Sequence, residues 1–432
     1  MTVRVRIVTL GCPKNEVDSE KMAALVALTG AELTADEDAA DVTILNTCAF
    51  IREAAEEAIE HTLDLALRWK PAGEGRKLVV AGCLPSRYGR DLVAELPEVD
   101  AFIPVAEEHE LLKYLFALSG LQPAPGDGPE RAVVGPSAYL KVSDGCFRAC
   151  AYCTIPAIRG RYRSTPLREI EHEARALVRA RAREVVLVGQ DISSWGRDLG
   201  GHETLADVVR TLGAIEDLDW LRLMYVQPDG ITCDLLDAIA TVPAVCRYLD
   251  LPLQHASRDV LRRMGRTGDA ESHLALIARI REAVPGIVLR TSLIAGFPGE
   301  TEADLALLED FLEEARIDYA GVFAYSPEDG TPAARMRPRV PARERVARAN
   351  RVRETADRIG FAKAAERVGE TLEVLVDGVD EDGATVGRWR GQAPEVDGVV
   401  SLDGPASAGD IVRVRITDAL GYDLAGERLK SR

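Results

Sequence analysis

Three cysteines, Cys146, Cys150 and Cys153, fall within one short loop, Cys146-Phe147-Arg148-Ala149-Cys150-Ala151-Tyr152-Cys153. This spacing constrains the fold more than any other feature of the chain. The loop must turn three thiols toward one point and hold them there. A structural zinc site takes four protein ligands and is closed, so three thiols are the wrong number for it. Three suit an iron–sulfur cubane, whose cysteine ligands are often closely spaced along the chain. One iron is then left without a protein ligand and can bind something else.

The rest of the chain reads as strands separated by helices, the pattern of parallel sheets. In residues 1–120 the expected strands are Val5–Leu10, Val42–Asn46 and Leu78–Ala81, with helices over Asn15–Leu28 and Ile51–Leu67. Each strand runs into a cysteine: Gly11-Cys12, Thr47-Cys48 and Gly82-Cys83. In open α/β sheets the C-terminal strand edge is where ligands bind. Any one of these residues has an ordinary alternative as a small buried side chain. Three at equivalent strand ends point instead to a second three-thiol site. Cys233 and Cys246 have no such setting and read as structural.

A Pro- and Gly-rich stretch, 121–136, reads as a linker. Strands are expected again at Tyr139–Val142, Glu184–Gly189, Trp220–Tyr225, Tyr248–Leu251, Ile287–Leu293 and Tyr319–Ala324, each followed by helix. Six such units over 137–365 suggest an open (β/α)6 partial TIM barrel. Chemistry in barrels sits at the C-terminal strand ends, and the Cys146–Cys153 loop follows the first strand. Arg343–Arg367 reads as a charged helical connector. Beyond it, 366–432 turns all-β, with strands at Thr371–Val376, Ala384–Gly387, Gly398–Leu402 and Ile411–Ile416. That is the pattern of a small OB-like barrel.

The formal net charge is −17. An acidic chain repels phosphate backbones on average, which argues against unspecific nucleic-acid binding. It favours a basic partner. Asp377, Asp380, Glu381, Asp382, Glu395 and Asp397 make the C-terminal module acidic, and no basic, aromatic-laced face stands out there. No apolar run approaches a membrane span, and the first residues lack the apolar stretch of a signal peptide. A cytoplasmic location is expected, where cysteines serve as metal ligands or catalytic thiols rather than disulfides.

The Cys146–Cys153 loop, with Tyr152 just before its last cysteine, resembles the cluster motif of the radical S-adenosylmethionine (SAM) enzymes. Over nearly its whole length the chain resembles the radical SAM methylthiotransferase family. The resemblance implies a flavodoxin-like parallel-sheet domain, a radical SAM barrel and a C-terminal TRAM domain. It implies two [4Fe–4S] clusters, an auxiliary one on Cys12, Cys48 and Cys83 and a SAM-binding one on Cys146, Cys150 and Cys153. One SAM would supply a methyl group and another a 5′-deoxyadenosyl radical. The cofactors then carry the chemistry, and no acid–base residue is expected. Strand ends carrying Gln190, Gln254 and Gly296 are candidates to hold SAM, the glycine by letting backbone approach it. His255 reads as a satisfied structural histidine, and Arg159, Arg161 and Arg163 as a solvated run.

Two branches of the family differ in substrate. One modifies N6-isopentenyladenosine in tRNA. The other modifies the β-carbon of an aspartate in small-subunit ribosomal protein twelve. Leu10-Gly11-Cys12-Pro13-Lys14-Asn15, Asn46-Thr47-Cys48-Ala49-Phe50-Ile51, Tyr325-Ser326-Pro327-Glu328-Asp329-Gly330-Thr331 and Ala393-Pro394-Glu395-Val396-Asp397-Gly398 resemble the second. An acidic C-terminal module also suits a basic protein substrate. The resemblance implies external sulfur and electron donors, and nucleic acid met only through the ribosome. A non-enzymatic iron–sulfur carrier would explain the cysteines but not an entire barrel.

Overall fold

The computed structural model describes residues 2–69, 75–119, 131 and 135–429. The expected linker, 121–136, falls outside these residues except at 131, 135 and 136. Two compact units are present. The first comprises Met1–Ala132, Asp144–Arg148 and Cys153–Arg163; the second comprises Val133–Ser143, Ala149–Tyr152 and Ser164–Arg432.

The first unit is built on β1 (Arg4–Thr9), α1 (Pro13–Leu28), β2 (Glu32–Leu33), β3 (Val42–Thr47), α2 (Arg52–Trp69), β4 (Lys77–Gly82), α3 (Cys83–Glu95), β5 (Ala101–Pro104) and α4 (Glu110–Ser119). The strands form a parallel sheet in the order β2-β1-β3-β4-β5, the flavodoxin-like order. β3 is the middle strand and every residue of it is buried. That is why Val-Thr-Ile-Leu-Asn-Thr shows no in-out alternation. Pro13 opens α1 at a position where its missing N–H costs nothing. β2 and β5 escaped the sequence reading because they are edge strands of two and four residues, too short to show a periodic pattern.

The second unit contains the barrel strands and the C-terminal module. In chain order the elements from residue 137 onward are β6 (Ser137–Lys141), β7 (Ser143–Asp144), α5 (Ile155–Ile158, which belongs to the first unit), β8 (Arg163–Ser164), α6 (Leu167–Arg179) and β9 (Glu184–Val188). There follow α7 (Leu205–Gly213), β10 (Trp220–Leu223), α8 (Cys233–Thr241), β11 (Tyr248–Asp250), α9 (Arg258–Arg263), α10 (Ala270–Ala283), β12 (Val288–Ala295), α11 (Glu302–Ala315), β13 (Tyr319–Ala324) and α12 (Ala342–Ala365). Six strands run parallel as two triplets, β6-β9-β10 and β11-β12-β13. A Leu221–Val245 bridge joins the triplets, leaving β6 and β13 as the outer strands. α6 buries Ile170, Ala174 and Leu177 on one helical stripe. Capping boxes at Thr204, Asp269 and Thr301 start α7, α10 and α11 where the chain leaves its turns.

The C-terminal module is a closed five-stranded barrel of β14 (Thr371–Val379), β15 (Thr385–Trp389), β16 (Val400–Asp403), β17 (Ile411–Leu420) and β18 (Asp423–Arg428), in the order β14-β15-β16-β18-β17. Four strands were expected here. The fifth, Asp423-Leu424-Ala425-Gly426-Glu427-Arg428, is polar and interrupted by glycine, so its own pattern is weak. Pairing makes it a strand: it closes the barrel between β16 and β17.

A buried polar network joins this module to the barrel strands. Glu184 accepts from Arg222 Nε at 2.7 Å, Arg388 at 2.8 Å and the Ser137 hydroxyl at 2.8 Å. Arg388 also grips Asp377 through two 2.9 Å bonds. Asp397 is equally committed. Its carboxylate accepts from the Tyr248 hydroxyl at 2.7 Å and from the Ala393 N–H at 2.8 Å, and lies 3.4 Å from Arg290. Asp377 and Asp397 therefore leave the acidic face expected from sequence, because each neutralises a buried arginine. Glu381 and Asp382 remain exposed at the β14–β15 turn. Asp380 caps that turn, accepting from the N–H groups of Asp382 and Ala384.

Candidate functional site

The register of the N-terminal sheet aligns its strand ends. Thr9 pairs with Asn46, Asn46 with Ala81 and Thr47 with Gly82. Cys12, Cys48 and Cys83 each follow one of these ends, so three distant segments reach one edge. Two glycines permit the approach. A Cβ on Gly11 (φ +113°) would sit 2.5 Å from Cys48 Cβ, and one on Gly82 (φ +93°) 2.3 Å from Asn46 Oδ1. Both also hold a backbone conformation that L side chains rarely adopt.

Asn15 organises the edge. Its amide nitrogen donates to Leu10 O at 3.0 Å and Thr47 O at 2.8 Å, tying two strand ends together. Its oxygen accepts from the Cys12 thiol at 3.6 Å and the Cys83 thiol at 3.9 Å. The two sulfurs thus share one oxygen, and Cys48 Sγ lies 3.2 Å from the Cβ position of Gly11.

Burial pushes the Cys83 thiol up to about 12; Arg159 opposes the rise, and Cys48 and Cys12 add to it. Burial also pushes the Cys48 thiol up. For Cys12 burial is again the largest influence, but Lys14, Arg159 and the backbone N–H groups of Asn15 and Lys14 together outweigh it and the thiol is pulled down. Cys48 and Cys83 are buried and Cys12 is half-buried; Cys12 raises the cost of ionising Cys48, and both raise that of ionising Cys83. Among the described residues no group of His, Cys, Asp or Glu forms a site for a single metal ion. Three thiols brought to one sheet edge are, by their chemistry, the kind of donor set that holds an iron–sulfur cubane.

Arg159 corrects the expectation of a solvated arginine run. Its side chain is 2% exposed, while Arg161 and Arg163 are exposed as expected. Nothing in the Arg159-Gly160-Arg161-Tyr162-Arg163 run distinguishes it; it follows directly on the helix α5. Cys246 is buried, in keeping with a structural role, but Cys233 is exposed. Cys233 opens α8, where the start of a helix meets solvent rather than core.

In the second cysteine motif, Cys146 and Cys153 belong to the first unit and Cys150 to the second. Gly145 (φ +73°) passes so close to Arg161 O that a Cβ would lie 2.4 Å away. Phe147 stacks on Tyr162 with centroids 4.7 Å apart. Within the second unit, the Ala151 N–H donates to Met264 O and Ala151 O accepts from the Ala333 N–H, both at 2.8 Å. Tyr152, Phe297 and Tyr325 form an edge-on aromatic row beside Cys150. Arg266, which the sequence did not single out, reaches Cys150 Sγ at 3.8 Å and is held by Gln227 Oε1 at 2.7 Å and Pro252 O at 2.8 Å.

The SAM candidates differ in what surrounds them. Both ends of the Gln190 carboxamide are buried without a hydrogen-bond partner among the described residues. An unsatisfied buried amide is costly and invites a polar ligand. Gln254 sits at φ +71°, strained for a residue with a side chain. Gly296 has another explanation than ligand approach. Its N–H donates to Glu300 at 2.8 Å, and a Cβ would lie 2.6 Å from Arg345 Cγ. Helix α12 occupies the space that the glycine leaves. His255 is satisfied at one ring nitrogen only: its Nδ1 accepts from the Ser257 N–H at 2.9 Å, while its buried Nε2 lies 3.4 Å from Glu300 with no hydrogen-bond partner among the described residues.

Three families match consecutive parts of the chain: Uncharacterized protein family UPF0004 at residues 4–104, the Radical SAM superfamily at 140–312 and the TRAM domain at 368–429. Among solved structures, the radical SAM methyltransferase TsrM from Kitasatospora setae, with cobalamin and a [4Fe-4S] cluster bound, aligns with a TM-score of 0.57 at 16% identity, covering 86% of this chain and 81% of that one. That likeness concerns the fold alone. Curated relatives align over nearly the full length. The "Ribosomal protein uS12 methylthiotransferase RimO" of Trichlorobacter lovleyi is 44% identical, with 99% of this chain and 98% of the relative covered. Proteins of the same name from Geobacter sulfurreducens (44% identical; 98% of each chain covered) and Symbiobacterium thermophilum (42%; 98% of this chain and 91% of the relative) agree. With that identity sustained from end to end, the chain belongs to the family of ribosomal protein uS12 methylthiotransferases.

Proposed function

We propose that the chain adds a methylthio group to the β-carbon of an aspartate in ribosomal protein uS12, using SAM and two [4Fe–4S] clusters. The observation that carries this reading is the second three-thiol edge on a separate parallel sheet, in a chain whose relatives bear that name. In this reading residues 1–120 hold the auxiliary cluster on Cys12, Cys48 and Cys83. Residues 137–365 carry the radical chemistry, with the Cys146–Cys153 loop supplying the other three thiolates. Residues 366–432 dock the substrate.

Bound there, the cofactors supply a radical able to take an unactivated hydrogen and a sulfur to replace it. The chain's own residues bind, orient and exclude water. Gln190 and Gln254 offer amide groups at strand ends to the polar parts of SAM. Tyr152, Phe297 and Tyr325 pack the loop around Cys150 against solvent. Glu381 and Asp382 present exposed negative charge to a basic protein. Sulfur and electrons come from external donors, and the reaction takes place in the cytoplasm, with nucleic acid met only through the ribosome. Among the described residues no helix is long and apolar enough to cross a membrane.

The test is anaerobic reconstitution with SAM, sulfide and a reductant, offering uS12 and prenylated-adenosine tRNA side by side. A methylthio mass increment on one uS12 aspartate is expected. The increment on tRNA instead would overturn the substrate assignment and retain the chemistry.

A further inference from the structure

Arg159 is a cation with almost no contact with water, and burying an unpaired charge is prohibitively costly. Its partners therefore need accounting. The guanidinium donates to Asp18 at 2.9 Å and lies 3.3 Å from Asp144. It also donates to Asn15 Oδ1 at 3.1 Å and to Cys83 Sγ at 3.6 Å. Asp18 is 1% exposed and Asp144 15%. Lys14, itself buried, adds a second positive charge beside Cys12. An anchoring role would be complete with the two carboxylates. The bond to sulfur, and the bond to the same Asn15 oxygen that receives two thiols, are what place the positive charge against the cysteine edge.

We propose that Arg159 is the counter-charge of an auxiliary iron–sulfur cluster held by Cys12, Cys48 and Cys83, donating to the Cys83 sulfur and making the cluster easier to reduce and slower to be lost. This rests on the assignment of those three cysteines made above. Hydrogen bonds to cluster sulfurs and local charge are established means of setting cluster potentials. Outer-shell partners of metal ligands are worth about 10–100-fold in metal affinity. Asp18 and Asp144 orient the guanidinium fork and partly offset its charge, so their effect on the cluster has the opposite sign. Arg159 is a positioning residue that acts through the ligands and touches no substrate.

The experiment uses the full chain with Cys146, Cys150 and Cys153 replaced by alanine, so that any cluster is the auxiliary one. Iron and sulfide analysis, with the spectrum of the reduced state, establishes whether the parent takes up a [4Fe–4S] cluster. If it does not, the cysteine assignment fails and the proposal falls with it. Given a cluster, Arg159→Met should lower its midpoint potential, with the reduced-to-oxidised ratio at a fixed potential falling at least about tenfold. Loss of iron to a chelator should be faster. Arg159→Lys should stay near the parent, and Asp144→Asn should shift the potential upward. Unchanged potentials in all three overturn the proposal. So does a fall in Asp144→Asn matching that in Arg159→Met, which would mark a purely structural contribution. If Arg159→Met does not fold, Asp144→Asn decides: a potential that fails to rise overturns it.

Discussion

Replacing Glu184 by glutamine should loosen the C-terminal barrel from the strands that carry it. Glu184 and Arg222 are 0% exposed and Arg388 is 3% exposed. Burial would normally push such a carboxyl up, yet Arg388 and Arg222 hold it at about 2. Against an ordinary value near 4.3, that depression corresponds to about 3 kcal/mol in favour of the folded, ionised state. The sign follows from linkage. A carboxylate depressed in the fold contributes fully above its unfolded pKa and loses the contribution as pH falls through about 2. At neutral pH the whole of it is present. An independent argument agrees: removing one member of a buried charge network costs about 3–5 kcal/mol, because the remaining charges stay buried and uncompensated. For a unit of this size, roughly 2–4 °C per kcal/mol predicts a melting midpoint lower by about 6–20 °C. The assay is thermal unfolding of Glu184→Gln beside Glu282→Gln, an exposed control. Glu184→Gln combined with Arg388→Met should cost less than the two singles summed, since the pair shares one interaction. A shift below about 2 °C, or strict additivity, would refute the reasoning.

Other consequences can be checked separately. Cys150→Ala should reduce formation of 5′-deoxyadenosine from SAM to the level without enzyme, with iron on the auxiliary thiols retained; undiminished cleavage would contradict the assignment of that loop. Glu381→Lys with Asp382→Lys should weaken binding of the basic substrate at low salt and have little effect at high salt, since exposed charges are screened within about 10 Å at 0.1 M. Equal affinity at both salt concentrations would remove the docking role. Burial holds His273 down at about 4, so it is neutral in the fold and charges on unfolding. Its contribution to stability is complete above about pH 6.5 and is lost as pH falls toward 4, amounting to about 2–3 kcal/mol between pH 7 and 4.5. Denaturant midpoints of the parent and His273→Gln should converge over that interval, and parallel curves would count against it. Gln190→Leu should weaken SAM binding while leaving the fold intact, because its amide has no partner in the protein to lose.

Much of the architecture was legible because its signals are local. Strands ending in Gly-Cys or Thr-Cys, a three-thiol loop after the first barrel strand and Pro or capping residues at helix starts can be read from neighbours in sequence. Elements that exist through pairing were not legible. β18 carries glycine and charge where a strand should carry apolar residues, and it is held by β16 and β17 on either side. Arg266 gave no signal, since its partners Cys150, Gln227 and Pro252 lie far away along the chain.

By itself the sequence determined the alternation of elements, the six cysteines suited to two clusters and the family resemblance, because periodicity and ligand spacing are properties of short segments. Tertiary structure alone decided what each charge does. Arg159 and Arg161 are two residues apart and chemically identical, yet one is sealed against thiols and the other meets water. Asp397 and Asp382 both contribute to an acidic composition, yet one neutralises a buried arginine and the other stays exposed. Composition counts such residues alike. Their energies are set by dielectric surroundings and by partners brought from elsewhere in the chain, and those are defined only once the chain has folded.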